Sequence, residues 1–227
     1  MSLDAVTAEK GEVAFVWFNN YAGVTIKTPS KTLVVDPANI DPQVFKAVDA
    51  VLVTHEHYDH FDEGIIREIH KRTRCLVVAD STSAKRLRDS ISGDKLFEMR
   101  IGKEIEVGNV KIRAETFKHP ATTPVSYVIT SEDVVRIYHT GDSLPHPDMK
   151  QVGDRSPPDV VFCTVGAPAP GASPQSGLEI VRMVKPKVAV PYHAPSAERK
   201  GFAELIAKEA PNVKCMLVEQ NKPARYP

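Results

Sequence analysis

The segment Thr54-His55-Glu56-His57-Tyr58-Asp59-His60-Phe61-Asp62 places three imidazoles and the Asp59 carboxylate within six residues. Such groups are expensive to bury unpaired. A metal ion resolves that cost, because neutral imidazole and carboxylate are good ligands for zinc, manganese and iron. In an extended turn His55 and His57 can point to one side while Asp59 and His60 swing toward a second point, so one segment can serve two ions. A solvated polar loop is the alternative, and it accounts less well for a cluster lying between an apolar run and a helix. Three more candidates close apolar runs elsewhere: His119 after VKIRAETFK, Asp142 in YHTGDS, where Gly141 permits close backbone approach, and His193 after KVAVPY. A lone histidine at a strand end is more often a surface group, but with the first cluster these residues complete a ligand set. Tyr58, inside the cluster, and His146, just past Asp142, are candidate substrate contacts, and the loop from Gly166 to Gly177 is a candidate mouth. Ser143 suits backbone capping better than nucleophilic attack, Tyr192 points toward the core, and His70, Arg182 and Lys185 are expected on solvated helix faces. His139 is expected at the surface or behind the site.

Positioning these groups requires strands that end where the polar residues begin. VAFVWF from Val13, GVTIKT from Gly23 and TLVVD from Thr32 are β-branched and aromatic runs between turn residues, and AVLVT stops at the histidine cluster. A helix follows, with Asp62 as cap and Ile65, Ile66 and Ile69 at helical spacing. CLVVA from Cys75 is the next strand, and Ser81 opens a helix carrying Ala84, Leu87 and Ile91. Strand patterns return between Ile105 and Ile137, with turns at Gly108-Asn109 and Glu132-Asp133. DVVFCTV from Asp159 and KVAVPYH from Lys187 alternate with helices through Leu178 to Val184 and through Phe202, Leu205 and Ile206, and CMLVE closes the series. Strands first and strand–helix alternation second, in both halves, predict two sheets covered by helices on their outer faces.

The chain of 227 residues carries 29 basic and 29 acidic side chains. That balance argues against a global electrostatic grip on nucleic acid. No apolar stretch approaches the roughly 20 residues that span a bilayer, so no membrane insertion is expected. The opening MSLDAVTAEKGE lacks a leader pattern, which makes a cytoplasmic location the expectation. No linker divides the chain, and residues 1–227 are expected to form a single domain. Cys75, Cys163 and Cys215 sit in apolar runs and are expected as buried thiols.

The set His55-Glu56-His57-Tyr58-Asp59-His60, His119, Gly141-Asp142 and His193 resembles the metallo-β-lactamase superfamily of binuclear metal hydrolases. The resemblance covers nearly the whole chain in order and strand context. It implies an α/β fold of four layers, an αββα sandwich, with the ions at the sheet edges. It further implies two divalent ions (Zn²⁺ or Mn²⁺, with Fe also admitted), one held by His55, His57 and His119 and the other by Asp59, His60 and His193, with Asp142 bridging. A shared hydroxide would attack the substrate, and Asp59 would be the catalytic proton acceptor. VVDP at Val34–Pro37 resembles an early motif of the superfamily, implying that Asp36 supports the ligating histidines from behind. THEHYDHFD is similar to the branch of ascorbate-6-phosphate lactonase and related metal-dependent hydrolases, and also to N-acylphosphatidylethanolamine phospholipase D. Phe61-Asp62-Glu63 stand where lactamases and glyoxalase II carry glycines, and His57 where diiron oxygen reducers carry Glu.

The resemblance implies hydrolysis of a small ester, lactone or related acyl substrate. Two alternatives stay open: a metal-dependent phosphodiesterase, and a non-catalytic metal-binding regulatory module. The expected partner is a small molecule rather than nucleic acid, and a homo-oligomer is left open.

Overall fold

The computed structural model describes residues 6–227; residues 1–5, on which part of the leader expectation rests, lie outside the described residues. The first sheet begins with β1 (Val13–Trp17), β2 (Val24–Lys27), β3 (Thr32–Val35) and β4 (Ala50–Val53). After α1 (Glu63–Thr73) come β5 (Leu76–Asp80), α2 (Ser81–Leu87) and β6 (Leu96–Met99). The second sheet begins with β7 (Glu104–Val107), β8 (Val110–Glu115), β9 (Ser126–Thr130) and β10 (Arg136–His139). There follow α3 (Met149–Arg155), β11 (Val160–Thr164), α4 (Pro174–Val184), β12 (Val188–Tyr192), α5 (Ser196–Glu209), β13 (Lys214–Cys215) and β14 (Ala224–Tyr226).

Each sheet has seven strands, in the orders β14-β1-β2-β3-β4-β5-β6 and β13-β12-β11-β10-β9-β8-β7. The neighbours from β3 to β6 in one sheet and from β10 to β13 in the other pair parallel, and the remaining pairs, β14 with β1 included, are antiparallel. The sheets stack through a shared apolar layer that includes Phe15, Leu33, Leu52, Ile112, Tyr127 and Phe162. On the outer faces Ile66, Ile69, Ala84 and Leu87 seal the first sheet, and Val152, Ile180, Val181, Phe202 and Ile206 seal the second. Central strands are therefore buried on both sides, and β1, β4 and β11 read as unbroken apolar runs. The four-layer α/β sandwich is the expected one.

Local chemistry fixes the element ends. Asp62 caps α1, its carboxylate accepting from Ile65 N at 2.9 Å, as anticipated. Asp80 caps α2, and α2 ends at Leu87, so Ile91 packs in the core from the following turn rather than from the helix. Three elements carried no readable sequence signal: β6, α3 and β14. At Gly153 within α3 an added Cβ would stand 2.4 Å from the Met183 carbonyl, so the residue that looks like a helix breaker is what lets α3 lie against α4. CMLVE contributes only Lys214–Cys215 to a strand.

His70 corrects an expectation. It is buried, and its Nδ1–H donates to the Cys75 carbonyl at 2.8 Å, tying α1 to the start of β5. His139 is fully buried too, donating from Nε2 to the Ala22 carbonyl at 2.9 Å, so it joins the sheets rather than facing solvent. Cys75 and Cys163 are buried free thiols, while Cys215 is only half-buried.

Candidate metal centre

β4 ends at Val53, and the chain turns out of the sheet at Thr54. That turn is held from two sides. Val125 N donates to the Thr54 carbonyl at 2.9 Å, and the buried Asp36 carboxylate accepts from Thr54 N and Thr54 Oγ1, each at 2.8 Å. Asp36 sits just past β3 with φ +49°, a left-handed conformation that an aspartate tolerates better than most residues. It also accepts from His60 Nδ1 at 2.8 Å, and Thr54 Oγ1 lies 3.0 Å from His55 Nδ1. Both imidazoles are thereby oriented with Nε2 directed away from the backbone.

The loop after β4 meets three segments of the second sheet at one edge of the sandwich. His119 follows β8, Asp142 follows β10, and His193 follows β12 with φ +50°. Gly141, at φ +55°, lets the turn before Asp142 pass the Phe117 ring, which an added Cβ would meet at 2.8 Å. Two groups of potential ligands result: His55, His57 and His119, and Asp59, His60, Asp142 and His193, with the donor atoms of each group within 4.8 Å of one another. The imidazole centroids of the first group are 4.6 to 5.2 Å apart, and His119 Nε2 is 3.2 Å from His57 Nδ1. In the second, His60 Nε2 lies 3.2 Å and His193 Nε2 3.6 Å from Asp142 Oδ1, and His193 Nε2 lies 3.4 Å from Asp59 Oδ2. Asp142 faces both groups, since its other oxygen, Oδ2, is 3.8 Å from His119 Nε2.

These atoms are near one another without satisfying one another. His55 Nε2, His60 Nε2, His193 Nε2 and Asp142 Oδ1 are all buried with no hydrogen-bond partner. Convergent lone pairs of this kind are what a cation satisfies, so the residues fit divalent ions.

The electrostatics agree. Burial, followed by the nearby His60, pushes His55 well below the ordinary imidazole range, and burial also lowers His119, so both are neutral ligands at pH 7. Burial opposes charge on His60, but Asp142 and Asp36 outweigh it and hold its imidazolium well above that range. Burial would raise Asp142, yet His60 and then His193 hold it far below the usual carboxylate range. Asp59 is depressed as well, because its contacts with His193 and His60 overcome its burial.

The candidate substrate contacts fall in two places. Tyr58 stands 76% exposed over the second group, edge-on to Tyr21 with ring centroids 6.3 Å apart. His146 instead lies buried at the start of α3, with Nδ1 3.9 Å from Asp148. Ser143 caps backbone, its Oγ accepting from Lys118 N at 2.9 Å. Tyr192 is core, and Arg182 pairs with Glu209 at the surface. Two neighbours of the site had no sequence signal. The Tyr21 ring lies 5.6 Å from that of His193, tilted by 46°, and its turn is shaped by Asn19, whose Oδ1 accepts from Tyr21 N and Gly23 N. Phe117 lies 5.4 Å from the His55 ring. Neither lies in a motif or ligand spacing, so only their placement reveals them.

Residues 20–194 match a family model described as the β-lactamase superfamily domain. A UPF0173 protein of Pyrococcus abyssi is 30% identical over 181 residues, covering 78% of this chain and 81% of its own. A UPF0173 metal-dependent hydrolase of Lysinibacillus sphaericus is 30% identical over 199 residues, covering 78% and 83%. Among solved structures, a metallo hydrolase from Ignicoccus hospitalis superposes with TM-score 0.82 at 20% identity, covering 95% of this chain and 99% of that one. An isothiocyanate hydrolase from Delia radicum gut bacteria superposes with TM-score 0.75 at 18% identity, covering 93% and 98%.

Proposed function

We propose that this chain, which belongs to the metallo-β-lactamase superfamily, is a binuclear metal-dependent hydrolase of small esters, lactones or related acyl compounds. The observation that carries the reading is the pair of groups, three imidazoles in one, partly buried, and two carboxylates with two imidazoles in the other, fully buried, whose ligand atoms converge with Asp142 facing both. A closed structural site needs only four ligands around one ion; seven around two centres suit catalysis better.

His55, His57 and His119 would hold one ion, Asp59, His60 and His193 the other, and Asp142 both. Two such ions would supply Lewis acidity and a hydroxide nucleophile at neutral pH. The chain's own residues do the rest. Asp36 keeps the His60 proton on Nδ1, leaving Nε2 free to ligate. Asp59, ionised because His193 and His60 hold its pKa down, accepts the proton that the nucleophile sheds and returns it to the leaving oxygen. Tyr21 and Tyr58 form an aromatic wall on the His193 side, where a substrate is oriented. The six-residue motif's similarity to the lactonase branch supports the acyl class.

The test is a panel of lactones and aryl esters against bis-aryl phosphodiesters, with Zn²⁺ or Mn²⁺ added, on the native protein and on Asp59→Asn. Acyl turnover that falls by about 10²–10⁴-fold in Asp59→Asn is expected, the range typical for a positioned general base. Turnover of phosphodiesters alone would overturn the acyl assignment, and metal binding without turnover of anything would favour a regulatory module.

A further inference from the structure

Phe117 has two faces. One packs against His55 and His119, at 5.4 and 6.1 Å between ring centroids. The other lines an open groove of about 530 Å³ whose apolar wall is completed by Met99, Ile101, Pro124 and Val125. The groove lies at the same edge of the sandwich as the metal ligands. β4, β5 and β6 run parallel in register, so their carboxyl ends lie side by side: β4 delivers the histidine loop, and β6 delivers Met99 and then Ile101. From the opposite sheet, the stretch just past β8 carries both Phe117 and His119, and the stretch leading into β9 brings Pro124 and Val125. Ligands of layered α/β folds collect outside carboxyl strand ends.

Two details show that this wall is organised. Thr122 donates from both N and Oγ1 to Glu56 Oε1, at 2.8 and 2.6 Å, pinning the loop between His119 and the groove to the histidine loop itself. Ile101 is 58% exposed and lines the groove together with Met99, Phe117, Pro124 and Val125, so the apolar surface there is shared by several residues rather than single.

We infer that the groove is the acyl-chain subsite of this hydrolase: the reacting carbonyl lies at the ligand cluster and an apolar chain of the substrate runs past His119 along Phe117 and under Ile101. The inference rests on the acyl reading above and narrows it to substrates with an aliphatic or otherwise apolar acyl group. The other side of the cluster, walled by Tyr21 and Tyr58 with their hydroxyls, is left to the leaving group. Ser81, Arg100, Thr122 and Thr123 also border the groove, and chain-length selectivity follows from its apolar residues. Each methylene moved from water into the groove tightens binding roughly fourfold, until the chain outruns the wall.

The test reads the groove without turnover. Straight-chain carboxylates from acetate to octanoate, the product class of acyl hydrolysis, are titrated into protein labelled at Met and Ile methyls. The Met99 and Ile101 methyl resonances should shift with the longer acids and not with acetate, with affinity rising severalfold for each methylene. Ile101→Asp, at an exposed position, should fold normally and lose that chain-length dependence. Methyls that ignore octanoate, or respond equally to acetate, would overturn the inference. So would an Ile101 shift that tracks protein concentration, because the groove would then cover a second copy. A protein without hydrolytic activity that still shows the graded shifts would refute only the acyl reading; an active hydrolase whose groove methyls stay still would refute only the subsite.

Discussion

Asp36→Asn perturbs the site through a residue expected to touch no ion. Asparagine keeps the volume of Asp36 and tolerates its φ of +49°. It cannot keep all three donors, which arrive at 2.8 Å from Thr54 N, Thr54 Oγ1 and His60 Nδ1. With the amide oxygen on Thr54 N, the NH₂ group faces the other two. The Thr54 hydroxyl can rotate to accept. His60 Nδ1 can accept only by giving up its proton, which then moves to Nε2, the atom aimed at Asp142 and the candidate ligand site. The variant must choose between an unmade bond and a blocked ligand. One hydrogen bond to a charged group is worth about 1.5–3 kcal/mol. At about 1.4 kcal/mol per decade, that is about 10–100-fold in affinity for the ion at His60, in line with other supports of metal-binding histidines. Competition with a fluorescent chelator for Zn²⁺ measures it directly, and the weaker of two binding steps should be the one affected. An Asp36→Asn protein with both steps unchanged would refute the proposed dependence of His60 on its buried partner.

Gly141→Ala should be destabilised by roughly 2 kcal/mol, from the left-handed backbone and the forced retreat of Phe117, lowering Tm by about 4–8 °C; a Tm within 1 °C of the native protein, on the order of assay error, would contradict the close approach seen there. Metal affinity should rise as pH climbs above about 6.5, because Asp142 and Asp36 hold the His60 proton that an ion must displace, whereas His55 and His119 are already neutral and Asp59 and Asp142 already ionised. Calorimetric titration in buffers of different ionisation enthalpy would report that proton release, and its absence near neutral pH would count against a protonated His60.

The gathering of these seven side chains was legible because they are rare, polar and placed at the ends of apolar runs: His55, His57, Asp59 and His60 announce themselves by spacing, and His119, Asp142 and His193 by their place after strands. The sandwich was legible because doubly buried strands such as VVFCT admit few alternatives. What escaped notice has a common cause. LFEM of β6 is short and only half-buried, ARY of β14 is three residues long, and α3 contains a glycine whose purpose is visible only against α4. His70 and Lys71 are neighbours of like character in sequence, and only the three-dimensional return of Cys75 to α1 separates a buried histidine from an exposed lysine. Tyr21 and Phe117 bear on the site through tilted ring contacts, for which sequence spacing holds no signature.

The partner of β1 on its outer side is β14, which pairs Val13 with Tyr226 and Phe15 with Ala224. During synthesis β1 therefore waits until both sheets' other strands have been made before this edge is closed. Until then Val13, Ala14 and Phe15, all buried in the finished molecule, border an open row of backbone donors and acceptors, the form of edge that invites pairing between chains. That edge stays open while the second sheet is being made, and pairing with β14 closes it.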